Sequence, residues 1–188
     1  RLSLYAGVRD SFDWLKWLPS EKTFNVQVTG RTSSLSHSHF TALEVKNSIT
    51  DLQQSVWNKR SNISLDNPDC IIHLHLNNDQ GVLSLQSSFE SLHKRGYRPA
   101  IGNAPLKENL ASGLLKITEW NGNKPLIDLM CGSGTFLIEA INQVLQVPLK
   151  SQQFYLFENW LDFKKDIYLD EKKKAINKVI YFEKLSKI

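Results

Sequence analysis

A glycine-rich segment, Asp128–Thr135 with the sequence DLMCGSGT, combines an acid, two glycines and two hydroxyl side chains. It begins inside a short apolar run, Leu126–Met130, which is long enough to form a buried parallel strand. It is followed by Phe136–Leu145, where apolar residues recur at helical spacing. Glycines let a backbone turn sharply and approach a ligand, and the first N–H groups of a helix bind anionic or polar groups. The segment therefore predicts a ligand-binding turn between a strand and a helix.

Other interpretations of the segment differ in the chemistry they require. The sequence does not match the G-x-G-x-x-G of dinucleotide-binding proteins, nor the G-K-[ST] ending of a phosphate-binding Walker loop. A tight turn without any ligand is the alternative, and the predicted strand and helix on either side weigh against it. Cys131 has no second cysteine nearby, so we interpret it as a small loop residue rather than a redox or nucleophilic thiol.

The residues before this segment predict a domain of mixed helices and strands. Phe24–Thr29 alternates apolar and polar residues, as a half-buried strand does, and apolar spacing predicts a helix from about His39 to Trp57. Two further alternating runs flank the polar turn Asn77–Gly81 and predict a β-hairpin. Leu15–Leu18 lies in a short amphipathic, tryptophan-rich stretch. Together with the later strand, loop and helix, these elements indicate an α/β fold class.

A basic connector, His93–Pro105, joins the two regions. It is rich in glycine, proline and basic residues and has no periodicity. Lysine and arginine neutralise phosphates and tyrosine can stack on a splayed base, so the connector is a candidate RNA contact. A solvated linker whose arginines brace two domains is an equally weighted alternative. The candidate RNA-binding residues of the connector are Lys94, Arg95, Tyr97 and Arg98.

Two helices and an aromatic stretch are expected in the remaining residues. Leu106, Leu110 and Leu114 predict a helix after the connector, and a Lys/Glu-rich helix is expected from about Leu169 to Leu185. Between the glycine segment's helix and this last helix, Phe154–Phe163 contains five aromatic residues, which we assign to the C-terminal region.

Composition limits the class of protein. The chain has 188 residues, a formal net charge of +4, 41% hydrophobic residues and two cysteines, which fits a globular protein of a reducing cytoplasm. No apolar run approaches the roughly 18 residues needed to cross a bilayer, so no membrane association is expected. The histidines and cysteines do not combine at zinc-ligand spacing, so no metal site is expected. The only methionine is Met130, which indicates an internal piece of a longer protein.

Several strings, read in order, give the chain a family resemblance. They are Ala42–Asp51 (ALEVKNSITD), Ser91–Arg98 (SLHKRGYR), Ala104–Ala111 (APLKENLA), the glycine segment extended to Glu139, and Phe157–Trp160 (FENW). Their order and spacing resemble the THUMP-containing RNA methyltransferases. The most similar members are bacterial enzymes that methylate the exocyclic N2 of guanine in large-subunit ribosomal RNA, often labelled adenine-N6 DNA methylases.

The resemblance implies an architecture, a cofactor and a partner. Residues 1–95 would form a THUMP-type α/β RNA-binding domain whose N-terminal partner domain is missing. Residues 96–188 would form a linker and the first strand-loop-helix units of a truncated Rossmann-like methyltransferase domain. The cofactor would be S-adenosylmethionine, with its methionine carboxylate at the helix start and its amino group on Asp128, and the partner ribosomal RNA. His37 and His39, in a Ser/His-rich loop, are added as candidate RNA contacts. The implied cofactor-binding residues are Glu108, Asp128, Met130, Cys131, Gly132, Ser133, Gly134 and Thr135.

The chain departs from the family pattern at two places. Leu129 stands where the family commonly has proline, which is a modest change within the predicted strand. The catalytic N-P-P-Y or D-P-P-Y string and the acid that binds the cofactor ribose are not in the sequence, and Asn67-Pro68 is a turn upstream of the glycine segment. We therefore expect no catalytic residue in this chain and an inactive fragment of the enzyme. An adenine-N6 DNA methyltransferase and a module that only binds RNA remain as alternative functions.

Overall fold

The computed structural model describes residues 2–78, 80–97, 106–148 and 154–179. The chain divides into two compact units. The first contains Arg1–Phe89 and Phe154–Phe163, and the second contains Glu90–Gln153 and Lys164–Ile188. Among the described residues, no helix has the length and apolar character needed to span a membrane.

The first unit is built on a three-stranded sheet in the order β1-β2-β3. β1 (Phe24–Gly30) pairs in parallel with β2 (Cys70–Asn77), and β2 pairs antiparallel with β3 (Gln80–Leu85). A parallel pair needs a long crossover connection, which the chain between β1 and β2 supplies. The strand predicted at Phe24–Thr29 and the predicted hairpin are both confirmed.

Three described α-helices belong to this unit: the longest packs against β1, and the other two pack against the longest. They are α1 (Leu2–Ser11), α2 (Trp14–Trp17) and α3 (Ser38–Trp57). Alternation along the strands directs every second side chain to one face of the sheet, where it meets the apolar stripe of α3. The helix predicted at His39–Trp57 is confirmed as α3, whereas α1 was not predicted. The core of the unit consists of Val8, Trp14, Leu18, Phe24, Val45, Ile49, Ile72, Leu74 and Leu76.

The carboxylate of Asp69 links the starts of β1 and β2. Asp69 Oδ2 accepts hydrogen bonds from the Thr23 backbone N–H at 2.8 Å and from the Thr23 hydroxyl at 2.9 Å, and Lys22 Nζ lies 3.6 Å from Oδ1. In return, the Asp69 N–H donates to the Thr23 carbonyl at 3.0 Å. Burial alone would raise the pKa of Asp69, but the Thr23 hydrogen bonds and the Lys22 ammonium hold it below its ordinary value.

The aromatic segment Phe154–Phe163 belongs to the first unit, although sequence analysis assigned it to the C-terminal region. It contains a 3-10 helix, Leu156–Asn159, in which Leu156 is buried. The Phe157 N–H donates to the Ser87 carbonyl at 3.2 Å, and the Asn159 amide donates to the Asp69 carbonyl at 3.3 Å. The Trp160 ring meets the Trp17 ring edge-to-face at 6.5 Å. Such contacts join positions far apart in sequence, which periodicity does not detect.

The second unit contains three described helices: α4 (Glu108–Ile117), α5 (Thr135–Val144) and α6 (Lys165–Asn177). α4 packs against α5, with Ala111, Leu115 and Ala140 buried. The helices predicted after the connector and after the glycine segment are confirmed as α4 and α5. The last helix starts four residues before its predicted start and ends at Asn177 rather than near Leu185, a position outside the described residues.

The strand predicted at Leu126–Met130 is wrong. These residues have no regular secondary structure, and the side chains of Ile127, Leu129 and Met130 are 77%, 89% and 92% exposed. A parallel strand requires neighbouring strands for its backbone hydrogen bonds and layers on both faces to bury its side chains. The described part of the second unit contains no other strand with which this segment could pair.

Candidate functional site

The glycine segment forms a turn that leads directly into α5. Gly132 and Gly134 have φ angles of 52° and 74°, in the left-handed region that favours glycine, and Gly134 is the N-cap of the helix. The Gly134 N–H donates to the Cys131 carbonyl at 2.7 Å and closes the turn. A Cβ atom placed on either glycine would have no heavy atom within 4 Å, so the backbone here faces open space.

Polar side chains brace the same turn from within. Asp128 Oδ1 accepts a hydrogen bond from the Met130 N–H at 3.1 Å, and the hydroxyl oxygens of Ser133 and Thr135 are 3.3 Å apart. Thr135 is buried, whereas Met130, Cys131 and Ser133 are exposed. The predicted residues from Asp128 to Thr135 thus form one continuous loop with an accessible outer side.

The start of α5 suits a carboxylate ligand. A helix leaves its first N–H groups without partners inside the helix, and a side-chain oxygen of the cap residue often satisfies one of them. Gly134 has no side chain that could do so. A ligand carboxylate is favoured at such a terminus by the helix dipole and by the N–H groups themselves. The residues present therefore fit the methionine part of the S-adenosyl cofactor that the family resemblance implies.

Glu108, the remaining predicted cofactor residue, lies in the first turn of α4 and is buried. It belongs to the helix that packs against α5, the helix that follows the glycine turn. The first residues of the predicted helix string, Ala104 and Pro105, lie outside the described residues.

The basic connector supplies two side chains to a buried carboxylate on α5. Arg95 Nε lies 3.1 Å from Glu139 Oε1, with the two side chains 12% and 1% exposed, and the Tyr97 hydroxyl donates to the same oxygen at 2.8 Å. Both contacts lie within the second unit. Lys94 is exposed, and Arg98 lies outside the described residues.

The two histidines predicted as RNA contacts lie at the N-terminus of α3. His37 is the N-cap and His39 is in the first turn, and both are exposed. Their rings flank Phe40, with centroid distances of 6.1 Å and 6.0 Å, and Phe40 is 57% exposed. The three rings form an exposed aromatic cluster, which we call the ring cluster. Phe40 was not predicted as part of a surface cluster, because at helical spacing it resembles a core residue.

Glu139 was missed in a different way. The extended glycine string includes it, but an acid four residues into a helix gives no sign of its partners, which lie more than forty residues upstream. Its presence within an otherwise apolar stretch, Phe136–Ala140, is the signal that could have marked it, because a carboxylate on a buried face needs a partner.

A cavity of about 750 Å³ in the first unit does not resemble a phosphate site. It lies between α1, the loop Thr32–Leu35 and the β2–β3 hairpin, and its lining contains only apolar and neutral polar residues. Proteins neutralise nucleic-acid phosphates mainly with lysine and arginine, and neither residue lines this cavity. Among the described residues, no group of three or more His, Cys, Asp or Glu side chains is arranged to hold a metal ion.

Comparison with protein families defines the class. Residues 3–86 match the THUMP domain, and residues 95–185 match the RMKL-like, methyltransferase domain. The chain therefore combines a match to a THUMP domain with a match to an RMKL-like methyltransferase domain, in that order. The family resemblance found in the sequence is confirmed, as is its mixed α/β fold.

Two curated relatives cover most of this chain. One is a protein of Synechocystis sp. with the provisional name of an RNA methyltransferase; it is 46% identical over 88% of this chain and 43% of its own length. The other is the ribosomal RNA large subunit methyltransferase K/L of Vibrio parahaemolyticus, which is 36% identical over 93% of this chain and 25% of its own length. The chain thus spans less than half the length of these relatives.

Solved structures share the fold. A protein provisionally named a methyltransferase and solved in complex with SAH has a TM-score of 0.79 at 27% identity, over 96% of this chain and 48% of that chain. A Listeria monocytogenes protein described as a predicted N6-adenine-specific DNA methylase has a TM-score of 0.76 at 25% identity, over 94% of this chain and 46% of that chain.

Proposed function

We propose that the chain is part of an S-adenosylmethionine-dependent RNA methyltransferase. The observation that carries the proposal is the open turn of Gly132 and Gly134 at the N-terminus of α5, whose cap residue has no side chain to satisfy the helix N–H groups. The RMKL-like methyltransferase match and the SAH complex of a structural relative support it. In this proposal the turn and the α5 terminus hold the methionine carboxylate, and Asp128 holds the amino group. When bound, the cofactor supplies an electrophilic methyl group.

The proposed substrate is large-subunit ribosomal RNA, with guanine N2 as the methylated atom. The name of the Vibrio relative and the THUMP match support RNA of the large subunit. The ring cluster of His37, His39 and Phe40 offers exposed aromatic faces beside a helix N-terminus, a combination suited to splayed bases and phosphates. Lys94, which is exposed, is the described connector residue that we retain as an RNA contact. We also propose that the enzyme acts in the cytoplasm, together with its substrate.

The description of the Listeria neighbour favours a second candidate, an adenine-N6 DNA methyltransferase. Both candidates use the same glycine turn and differ in the nucleic acid and the base. The N-P-P-Y or D-P-P-Y string to which the resemblance assigns catalysis is absent from the 188 residues. We therefore propose that the chain by itself binds RNA and contacts the cofactor without methylating, and that methylation takes place in the whole protein.

Nucleoside mass spectrometry on a strain lacking the gene separates the two candidates. The proposal expects one N2-methylguanosine to disappear from large-subunit ribosomal RNA, while N6-methyladenine in DNA is unchanged. Complementation with the full-length gene should restore the modification, and a Gly134→Ala gene should restore less of it. Loss of N6-methyladenine from DNA with intact ribosomal RNA would establish the alternative and refute the RNA proposal.

A further inference from the structure

Two side chains of the basic connector meet at one carboxylate oxygen of α5. Glu139 Oε1 accepts the Tyr97 hydroxyl at 2.8 Å and lies 3.1 Å from Arg95 Nε. The Arg95 Nε–H is not directed along this line well enough for a hydrogen bond, so its contribution is electrostatic. A carboxylate that is 1% exposed is costly unless it is paired, and here both partners come from the connector.

The backbone of the connector is shaped for this contact. Gly96, between the two partners, has a φ of 84° and bends the chain at this point. Other residues adopt this conformation only with strain. The connector is therefore fixed to α5 at Arg95 and Tyr97, while Lys94 next to them remains exposed.

Glu139 lies on the face of α5 that leads into the glycine turn. Residues four apart on a helix lie one above the other, so Glu139 is one turn below Thr135, the first helical residue. Thr135 is also buried, and its hydroxyl lies 3.3 Å from that of Ser133 in the turn. A contact that fixes Glu139 therefore also fixes the first helical turn of α5, which the glycine turn enters.

The outer part of the turn, Met130–Ser133, is exposed, whereas Thr135 at its end is buried at the start of α5. Among the turn's described hydrogen bonds, the Met130 N–H donates to Asp128 Oδ1, the Gly134 N–H donates to the Cys131 carbonyl, and the hydroxyl oxygens of Ser133 and Thr135 are 3.3 Å apart. The Gly134 carbonyl in turn accepts the Ile138 N–H of α5 at 2.9 Å. A Cβ on either glycine would touch nothing within 4 Å. The position of the turn therefore depends on α5, and the position of α5 depends in part on Glu139.

We propose that Glu139 is a positioning residue for the cofactor turn, and that Arg95 and Tyr97 of the basic connector anchor it. The inference rests on the proposed function in one respect, namely that the turn binds the cofactor. In this proposal the connector supports the glycine turn through Glu139, so a substitution in the connector alters the turn although the connector residue does not contact the cofactor.

The test compares Glu139→Gln and Glu139→Ala with Leu115→Ala in the 188-residue chain. Leu115 is buried on α4 in the same unit, and its side chain carries no charge or hydrogen-bonding group, so its variant controls for general loss of stability. Amide hydrogen exchange of Gly132, Gly134 and Thr135 is measured under conditions that match the variants in overall stability. S-adenosylhomocysteine binding is followed separately by NMR titration.

The expected order of exchange at the turn is wild type slowest, Glu139→Gln intermediate and Glu139→Ala at least tenfold faster, because glutamine keeps an acceptor and loses the charge. Tyr97→Phe should resemble the glutamine variant. Cofactor affinity should fall in the same order. An equal acceleration in stability-matched Leu115→Ala, or unchanged exchange in Glu139→Ala, would overturn the positioning role.

The two proposals fail in distinguishable ways. If the turn exchanges faster in the Glu139 variants but wild type shows no S-adenosylhomocysteine shifts at the turn, the positioning role holds and the cofactor proposal fails. If wild type binds and the Glu139 variants bind equally well with unchanged exchange, the cofactor proposal holds and the positioning role fails.

Discussion

Replacement of Asp69 should weaken the first unit in a way that depends on pH. The side chain accepts two hydrogen bonds from Thr23 at 2.8 Å and 2.9 Å and is 33% exposed. Hydrogen bonds to charged groups contribute about 1.5–3 kcal/mol each when removal leaves a buried partner. Since the Asp69 side chain is partly exposed, we expect Asp69→Ala to cost about 2–4 kcal/mol and Asp69→Asn, which keeps an acceptor, about 1 kcal/mol.

The sign of the pH dependence follows from the pKa of Asp69, which is lowered in the folded state. A carboxyl with a lowered folded pKa contributes stability that is fully present above its unfolded pKa and is lost as the pH falls through its folded pKa. The difference in stability between wild type and Asp69→Asn should therefore be constant from about pH 7 to pH 5 and shrink below about pH 4.

Urea unfolding followed by tryptophan fluorescence measures this difference. Four of the five tryptophans lie in the first unit, so the signal reports mainly on it; they are Trp14, Trp17, Trp57 and Trp160. Asp66→Asn, at an exposed neighbouring position, is the matched control and should stay within about 0.5 kcal/mol of wild type. The reasoning is refuted if Asp69→Asn costs no more than the control, or if its cost is the same at pH 7 and pH 3.

Two further predictions concern the cysteines and a strand-end glycine. Burial, with the neighbouring Asp69 charge, raises the pKa of the Cys70 thiol to about 11. Iodoacetamide at pH 8 should therefore label exposed Cys131 before Cys70, as followed by mass spectrometry. Equal labelling of the two thiols in the folded protein would contradict this. Gly30 has a φ of 75°, and a Cβ there would overlap the Leu76 carbonyl oxygen, so Gly30→Ala should cost more than about 2 kcal/mol in urea unfolding. Gly7→Ala, in an open helical position, should be neutral or slightly stabilising, and similar effects of the two substitutions would contradict the steric argument.

Local periodicity was enough to predict the elements that carry their own pattern. Phe24–Thr29 and the helix from His39 show alternation or helical spacing within one segment, and both were found where predicted. Leu126–Met130 shows why a short apolar run is ambiguous. It has the composition of a buried strand, but a strand forms only with neighbours to pair with, and the described residues of its unit offer none.

In the candidate site, too, locally determined features could be predicted from the sequence, and features that depend on tertiary packing could not. The glycine turn was predictable because its conformation depends on Gly132 and Gly134 themselves. The partners of Glu139 were not, because they are brought together by tertiary packing across more than forty residues. The place of Phe154–Phe163 in the first unit was missed for the same reason.

The central claim is that the turn from Asp128 to Thr135 receives an S-adenosyl cofactor at the N-terminus of α5. A titration of the nitrogen-15-labelled 188-residue chain with S-adenosylhomocysteine tests it most directly, because NMR detects binding weaker than micromolar. We predict the largest saturable shifts at the amides of Gly132, Gly134 and Thr135, no comparable shifts at the start of α3, and a weaker response in Gly134→Ala, whose cap conformation is strained at φ 74°. Absence of shifts at the turn, or stronger shifts elsewhere in the chain, would contradict the claim.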